Sequence, residues 1–323
     1  MQSPDQQKPR LFDPVALRRR RDRAMRLGYA GGADFLMRRG AEAVGERLGD
    51  VRRRFARVVL AGTGAGAARA ALPPEVALRG AGLVMTDPSP AMLAAAGAAL
   101  PEARALAWRG ETLPFAAGEA DLALSLGLLH ALDDPVGHLV QLRHTLVPDG
   151  LMVAALAGGE TLSALRIALA EAEAAETGGL SPRIAPMGEL RDLGALLQRA
   201  GLAMPVADSE RVTVSYASPI ALMQDLRAMG EANALAGRLR RPTRRAVLLR
   251  AAALYAERMG EAGGRVRAEF DLVFLTGWSP APSQPRPLRP GSATARLADA
   301  LGTEERAAGE KAPLPPSLPP PNK

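Results

Sequence analysis

The chain of 323 residues predicts a doubly wound, nucleotide-binding α/β domain. Three observations predict it. From Arg57 onward, short apolar runs alternate with Ala-rich helical stretches, the pattern of parallel strands joined by crossover helices. The first run is followed at once by the glycine-rich turn Gly62-Thr63-Gly64-Ala65-Gly66, and the second ends in an acidic residue, Asp87. A ligand of such a sheet sits outside the carboxyl ends of its strands, beside strand one, where both features lie.

The elements follow in order. Residues 1–55 read as a polar N-terminal helical segment, closing on Arg52-Arg53-Arg54-Phe55. The main domain, 56–302, opens with strands at Val58–Ala61, Leu83–Thr86, 105–108, 122–126 and 151–156. Between them, helices are expected at 90–100, with Ser89 as N-cap, and at 135–146, closed by the Pro148-Asp149-Gly150 turn. Further helices follow at 161–176 and 189–200, then a strand at 211–216, helices at 219–234 and 243–259, and a last strand at Val266–Trp278. The two late strands fit an edge hairpin added to a parallel sheet. Residues 303–323 are too rich in proline to pack and read as a disordered tail.

Composition excludes several function classes. With no cysteine there is no disulfide, thiolate zinc site or cysteine nucleophile. Imidazoles are confined to His130, His138 and His144, and no metal site is expected. The net charge of +7 does not point to nucleic acid, because the cations are dispersed and nearly all arginine in an Ala-rich chain. The densest basic stretch, Arg18, Arg19, Arg20, Arg21, Arg23 and Arg26, lies on a helix poor in aromatic residues. It is either a solvated face or a docking surface for an acidic partner. No charge-free apolar run reaches about eighteen residues, so no transmembrane segment is expected and the cytoplasm is the expected compartment.

Gly62-x-Gly64-x-x-Ala67 satisfies the loose dinucleotide fingerprint as well, so a nicotinamide enzyme has to be weighed. Later segments point elsewhere. Leu113-Pro114-Phe115, Asp121-Leu122-Ala123-Leu124-Ser125 and Leu146-Val147-Pro148-Asp149-Gly150-Leu151 resemble three successive segments of the class I S-adenosylmethionine (SAM) methyltransferases. A leading segment of about fifty-five residues and a late hairpin fit that seven-stranded class too. The resemblance implies SAM as cofactor, its methionine end over Gly62, Gly64 and Gly66, its ribose on Asp87, and Glu111 and Leu113 completing the binding set.

Within that class the chain resembles the family of the mitochondrial complex I assembly factor with a methyltransferase fold, which has relatives in α-proteobacteria. The segments that carry this include Leu11-Phe12-Asp13, Gly158-Gly159-Glu160-Thr161-Leu162, the run from Gly178 to Pro186, Asp225-Leu226-Arg227-Ala228-Met229-Gly230-Glu231-Ala232-Asn233, and Arg289-Pro290-Gly291-Ser292-Ala293. The resemblance implies a subunit of complex I, the respiratory NADH dehydrogenase, as partner, and hydroxylation of an arginine, the activity credited to the mitochondrial member. The chain departs from the family at two acidic positions, which here are Leu60 and Arg109. Each change removes an acceptor worth about 1–3 kcal/mol to a SAM site. Non-haem iron needs two histidines and a carboxylate, and no His-x-Asp or His-x-Glu occurs. An ordinary SAM methyltransferase of a small molecule or carrier protein, or a non-catalytic assembly chaperone with a degenerate SAM site, are the alternatives.

Individual residues follow from placement. His130 comes just after the fourth strand, where this class places groups beside the transferring methyl, and its chemistry suits a general base. His138 and His144 are expected on the surface. Glu160, Thr161 and Arg166, at the start of the helix after strand five, are expected to contact substrate. Arg183, a further candidate substrate contact, is expected with Glu231 and Asn233 in a lid over the cleft. Tyr255 and Trp278 read as core aromatics.

Overall fold

The computed structural model describes residues 10–74, 76, 82–108, 111–285, 299 and 301–303. Arg109, the motif 289–293 and the tail 304–323 lie outside them. Residues 1–282 form one unit and 283–323 a second. All the elements below belong to the first.

The strands are β1 (Val58–Ala61), β2 (Leu83–Thr86), β3 (Arg104–Ala105), β4 (Ala120–Leu126), β5 (Leu146–Gly158), β6 (Ala203–Tyr216) and β7 (Val266–Trp278). They form one sheet in the order β3-β2-β1-β4-β5-β7-β6, with β1 to β5 parallel and β7 antiparallel to both neighbours. Register brings the carboxyl ends of three strands level, since Ala61 pairs with Thr86 on one side and Ser125 on the other. Gly62, Asp87 and Gly127 therefore start from one edge.

The helices are α1 (Pro14–Arg26), α2 (Phe35–Gly49), α3 (Pro90–Ala99), α4 (Pro135–Thr145), α5 (Ser163–Thr177), α6 (Leu190–Arg199), α7 (Pro219–Ala228) and α8 (Arg245–Met259). Strand alternation divides the core between the two faces of the sheet. Val58, Leu60, Leu122, Leu124 and Val153 pack with Ala41, Val44 and Leu48 of α2. Val59, Ala61, Ala123, Met152 and Ala154 pack with α4 and α6 through Leu139, Leu142, Leu193 and Leu197. A third cluster joins α5 and α8 to the bases of β6 and β7.

Helix α2 is bolted to the hairpin. Arg39 meets Glu210 through two nitrogens at 2.7 and 2.8 Å, and Arg47 pairs with Asp208 while lying 3.7 Å over the Phe274 ring. These ion pairs explain why β6 is longer than the stretch 211–216 expected for it. Its first half carries Asp208, Ser209 and Glu210, whose polarity hides the strand signal but serves α2. The third strand is shorter than expected, two residues at the sheet edge, because Trp108 turns away to stack on His138. Helix α7 stops at Ala228, short of the expected 234, as the chain reverses at Gly230 with φ +86°.

Helix α1 begins on a capped turn, with Asp13 accepting from the Ala16 amide at 3.0 Å and Pro14 at the first position. Its buried residues Leu17, Arg21 and Ala24 share one face at i, i+4, i+7 spacing. An arginine thus occupies the middle of the stripe that faces the domain.

Candidate functional site

The glycine turn leaves β1 at Gly62, whose φ of +90° favours glycine and where a Cβ would overlap the Leu126 carbonyl oxygen. Thr63 then donates to Asp87 Oδ2 twice, from its amide at 2.8 Å and its hydroxyl at 3.1 Å. Asp87 Oδ1 accepts the Ser89 amide at 2.8 Å. Both carboxylate oxygens are thereby engaged within the chain, and Asp87 is 2% exposed. Ser89 caps α3 and donates its hydroxyl to Asp22 of α1 at 2.6 Å, which fastens α1 across the ends of β1 and β2.

Next to Asp22 in sequence, Arg21 reaches the end of β4. Its guanidinium, 2% exposed, donates to the Gly127 carbonyl and stands 3.6 Å from Glu231. The other oxygen of Glu231 is 3.2 Å from His130 Nε2. Burial pushes the Glu231 carboxyl up, but His130 and Arg21 beside it outweigh that and hold it below the usual carboxylate range. Glu231 is therefore an anion at neutral pH.

Met37 of α2 closes the remaining space. A Cβ on Gly64 would lie 2.6 Å from Met37 Cγ, and one on Gly127 would lie 2.5 Å from Met37 Cε. The thioether chain is thus wedged between the glycine turn and the end of β4.

Beyond Gly127 opens a cavity of about 310 Å³, walled mainly by leucines, alanines and methionines, with Tyr29, His130, Thr161, Arg183, Arg227, Glu231 and Asn233 as its polar groups. It lies beside the glycine turn, and Gly62, Gly64, Gly66 and Asp87 do not line it. Neither do Glu111 and Leu113. Glu111 is exposed and pairs with Arg10 at 2.9 Å, while Leu113 is buried and donates its amide to Gln141 at 2.7 Å.

The expected substrate contacts divide. Thr161 lines the cavity and caps the turn into α5, donating to the Gly158 carbonyl at 2.7 Å. Arg183 lines it too, gripped by Glu173 at 2.7 and 2.9 Å and by Thr243 at 2.9 Å. Glu160 and Arg166 do not line it. The segment from 230 to 238 does cover the cavity, held by Asn233 on the Pro182 carbonyl at 2.8 Å and by Arg238 on Asp13 at 2.9 Å. Tyr255 is buried in the third core cluster.

His138 corrects the expectation of a surface residue. It is 3% exposed, stacked on Trp108 and hydrogen-bonded to Ser125 at 2.9 Å, and burial depresses its pKa to about 4. Its helix turns that side inward against β4. His144 is exposed beside Arg143.

Arg21 and Met37 were not legible as site residues. Arg21 sits in a run of like residues, and only the buried stripe of α1 singles it out. Among the described residues no group of three or more His, Cys, Asp or Glu is placed to hold a metal ion, and no helix is long and apolar enough to cross a membrane.

Comparison with known proteins agrees with this architecture. A methyltransferase-domain family matches residues 59–154. The arginine-hydroxylase NDUFAF5, mitochondrial, of Danio rerio is 36% identical over 292 residues, covering 90% of this chain and 89% of that protein. The malonyl-[acyl-carrier protein] O-methyltransferase of Laribacter hongkongensis is 34% identical over 274 residues, covering 80% and 88%. A methyltransferase crystal structure from Bacillus halodurans superposes with TM-score 0.50 at 12% identity, over 74% of this chain and 99% of that one.

One expectation needs revision. The relative matched over 90% of the chain is by name mitochondrial, so the cytoplasmic placement is withdrawn. Lack of cysteine and of long apolar runs fits a mitochondrial protein as well as a cytosolic one. Around the expected SAM set, Met37 is wedged between Gly64 and Gly127, and each oxygen of Asp87 already accepts a hydrogen bond within the chain. The fold, its sheet order and the match over nine-tenths of its length nevertheless leave the lineage plain: the chain belongs to the arginine-hydroxylase NDUFAF5 family of complex I assembly factors, enzymes built on the class I SAM methyltransferase fold.

Proposed function

We propose that this chain acts on an arginine side chain of a protein partner during assembly of respiratory complex I, and that the arginine is seated between Gly127 and Glu231. One observation carries the reading. The seat already holds a guanidinium, that of Arg21, with a carbonyl acceptor on one side and an anionic carboxylate on the other. Glu231 balances one cation, so Arg21 and a partner's arginine exclude each other. His130 stands beside the reacting group, and Thr161 and Arg183 wall the cavity behind it. Gly62, Gly64, Gly66 and Asp87, with Glu111 and Leu113 further out, remain the proposed SAM set, reachable once α1 and Met37 move.

The malonyl carrier-protein relative supports a second reading, methylation of a small or carrier-bound acid. The Glu231 anion opposes it, because a carboxylate substrate in this seat meets a like charge.

The test is deletion of the gene in a host whose growth depends on complex I, with re-expression of the wild-type chain or of Glu231→Ala. Loss of assembled complex I on a native gel, and loss of a mass-shifted arginine peptide from one of its subunits, is expected for both the deletion and Glu231→Ala. Normal assembly in the deletion strain overturns the reading.

A further inference from the structure

We propose that Glu231 is a positioning residue: it fixes the His130 imidazole with its proton on Nε2, leaving Nδ1 as a lone-pair acceptor for an N–H donor of the group that enters the seat. The proposal rests on the preceding reading only in naming that donor as an arginine N–H.

The geometry fixes the tautomer. An ionised carboxylate has no proton to give, so at 3.2 Å from Glu231 Oε2 the His130 Nε2 must be the donor. A neutral imidazole carries one ring proton, which leaves Nδ1 bare. Among the described residues nothing donates to that atom, and it is sealed from solvent. Buried acceptors in folded proteins are nearly always paired, and an orphan costs about 1–3 kcal/mol.

The ring's position does not come from a long, adaptable loop. His130 sits in the single 3-10 turn Leu129–Ala131, closed by the Ala131 amide on the Leu128 carbonyl at 2.9 Å and packed against buried Leu129 and Ala131. Its orientation is held from opposite ends of the sequence, with Glu231 of the covering segment on the ring and Asp133 tying the Leu11 and Phe12 amides at 2.8 Å. Arg21 has an unpaired atom as well, its Nε. The seat is therefore shaped for a guanidinium but imperfectly filled by Arg21, with a donor and an acceptor left over. A guanidinium brings five N–H donors, so one that enters as Arg21 leaves has enough to serve Gly127, Glu231 and Nδ1 together.

The test uses full-length protein labelled with ¹⁵N-histidine. Only three histidines occur, so their signals are assigned by single His→Gln variants. At about pH 8, where an ordinary imidazole is neutral, His130 is expected to show a protonated Nε2 and a bare Nδ1. Glu231→Asp is expected to keep that pattern, and Glu231→Gln, whose amide both donates and accepts, to give mixed tautomers while the His138 signals stay in place. A His130 protonated on Nδ1 in the wild type, or a pattern unchanged in Glu231→Gln, overturns the proposal. Adding N-acetyl-arginine methylamide to Arg21→Ala protein is expected to shift the bare Nδ1 signal. An expected tautomer with no such shift overturns the arginine donor and leaves Glu231 as the positioning residue.

Discussion

The guanidinium of Arg21 donates to the main-chain oxygen of Gly127, at the tip of the strand beside the glycine turn, while facing the Glu231 carboxylate at 3.6 Å. A helix from the N-terminal segment thereby places its own cation at the point where the sheet presents its ligand.

Replacing that residue separates stability from binding. Arg21→Ala leaves the Gly127 carbonyl and Glu231 short of a buried partner, and a loss of about 2 kcal/mol in denaturant unfolding is expected. Affinity for N-acetyl-arginine methylamide is expected to rise about tenfold, since the competing internal group has gone. A residue that only held the fold together would lower both quantities.

Acid sensitivity traces to His138. Its folded pKa is depressed to about 4, below the ordinary value of about 6.5, so above the latter both states are neutral and the residue has no effect. As the pH falls from 6.5 towards 4 the unfolded chain takes up a proton that the folded chain refuses, and stability declines. The loss reaches about 3 kcal/mol at the lower end. His138→Gln is expected to flatten this part of the stability–pH curve, measured by urea unfolding at steps between the two values. An unchanged slope contradicts the assignment.

Two glycines with positive φ offer a matched pair. Gly62→Ala puts a methyl group into the Leu126 carbonyl oxygen, whereas a Cβ at Gly118, φ +63°, meets nothing within 4 Å. Gly118→Ala is expected to cost about 1 kcal/mol of backbone strain and Gly62→Ala at least about 3 kcal/mol. Thermal unfolding of the two variants side by side reads the difference.

Much of this fold was legible because its signals are local. β1 and β2 are apolar runs bounded by turn residues, and both are found where the pattern puts them. β3 was expected to run on to 108 but ends at Ala105, and the first half of β6 escaped because its polar residues answer to α2 across the sheet. At the site, Asp87 was legible from its distance to the glycine turn, but not that Thr63 and Ser89 would consume its oxygens. Arg21 and Met37 were invisible for the same reason as the His138–Trp108 stack. Their partners are remote in sequence, and a run of arginines or a lone methionine carries no trace of which neighbour will fold against it.

The filled glycine turn is tested most directly by calorimetric titration of SAM into the full-length wild-type chain and into Met37→Ala. With Met37 wedged between Gly64 and Gly127, the wild type is expected to bind SAM weakly, and Met37→Ala at least about tenfold more tightly, because the side chain no longer has to be expelled. Saturable micromolar binding by the wild type, with the same affinity in Met37→Ala, contradicts it.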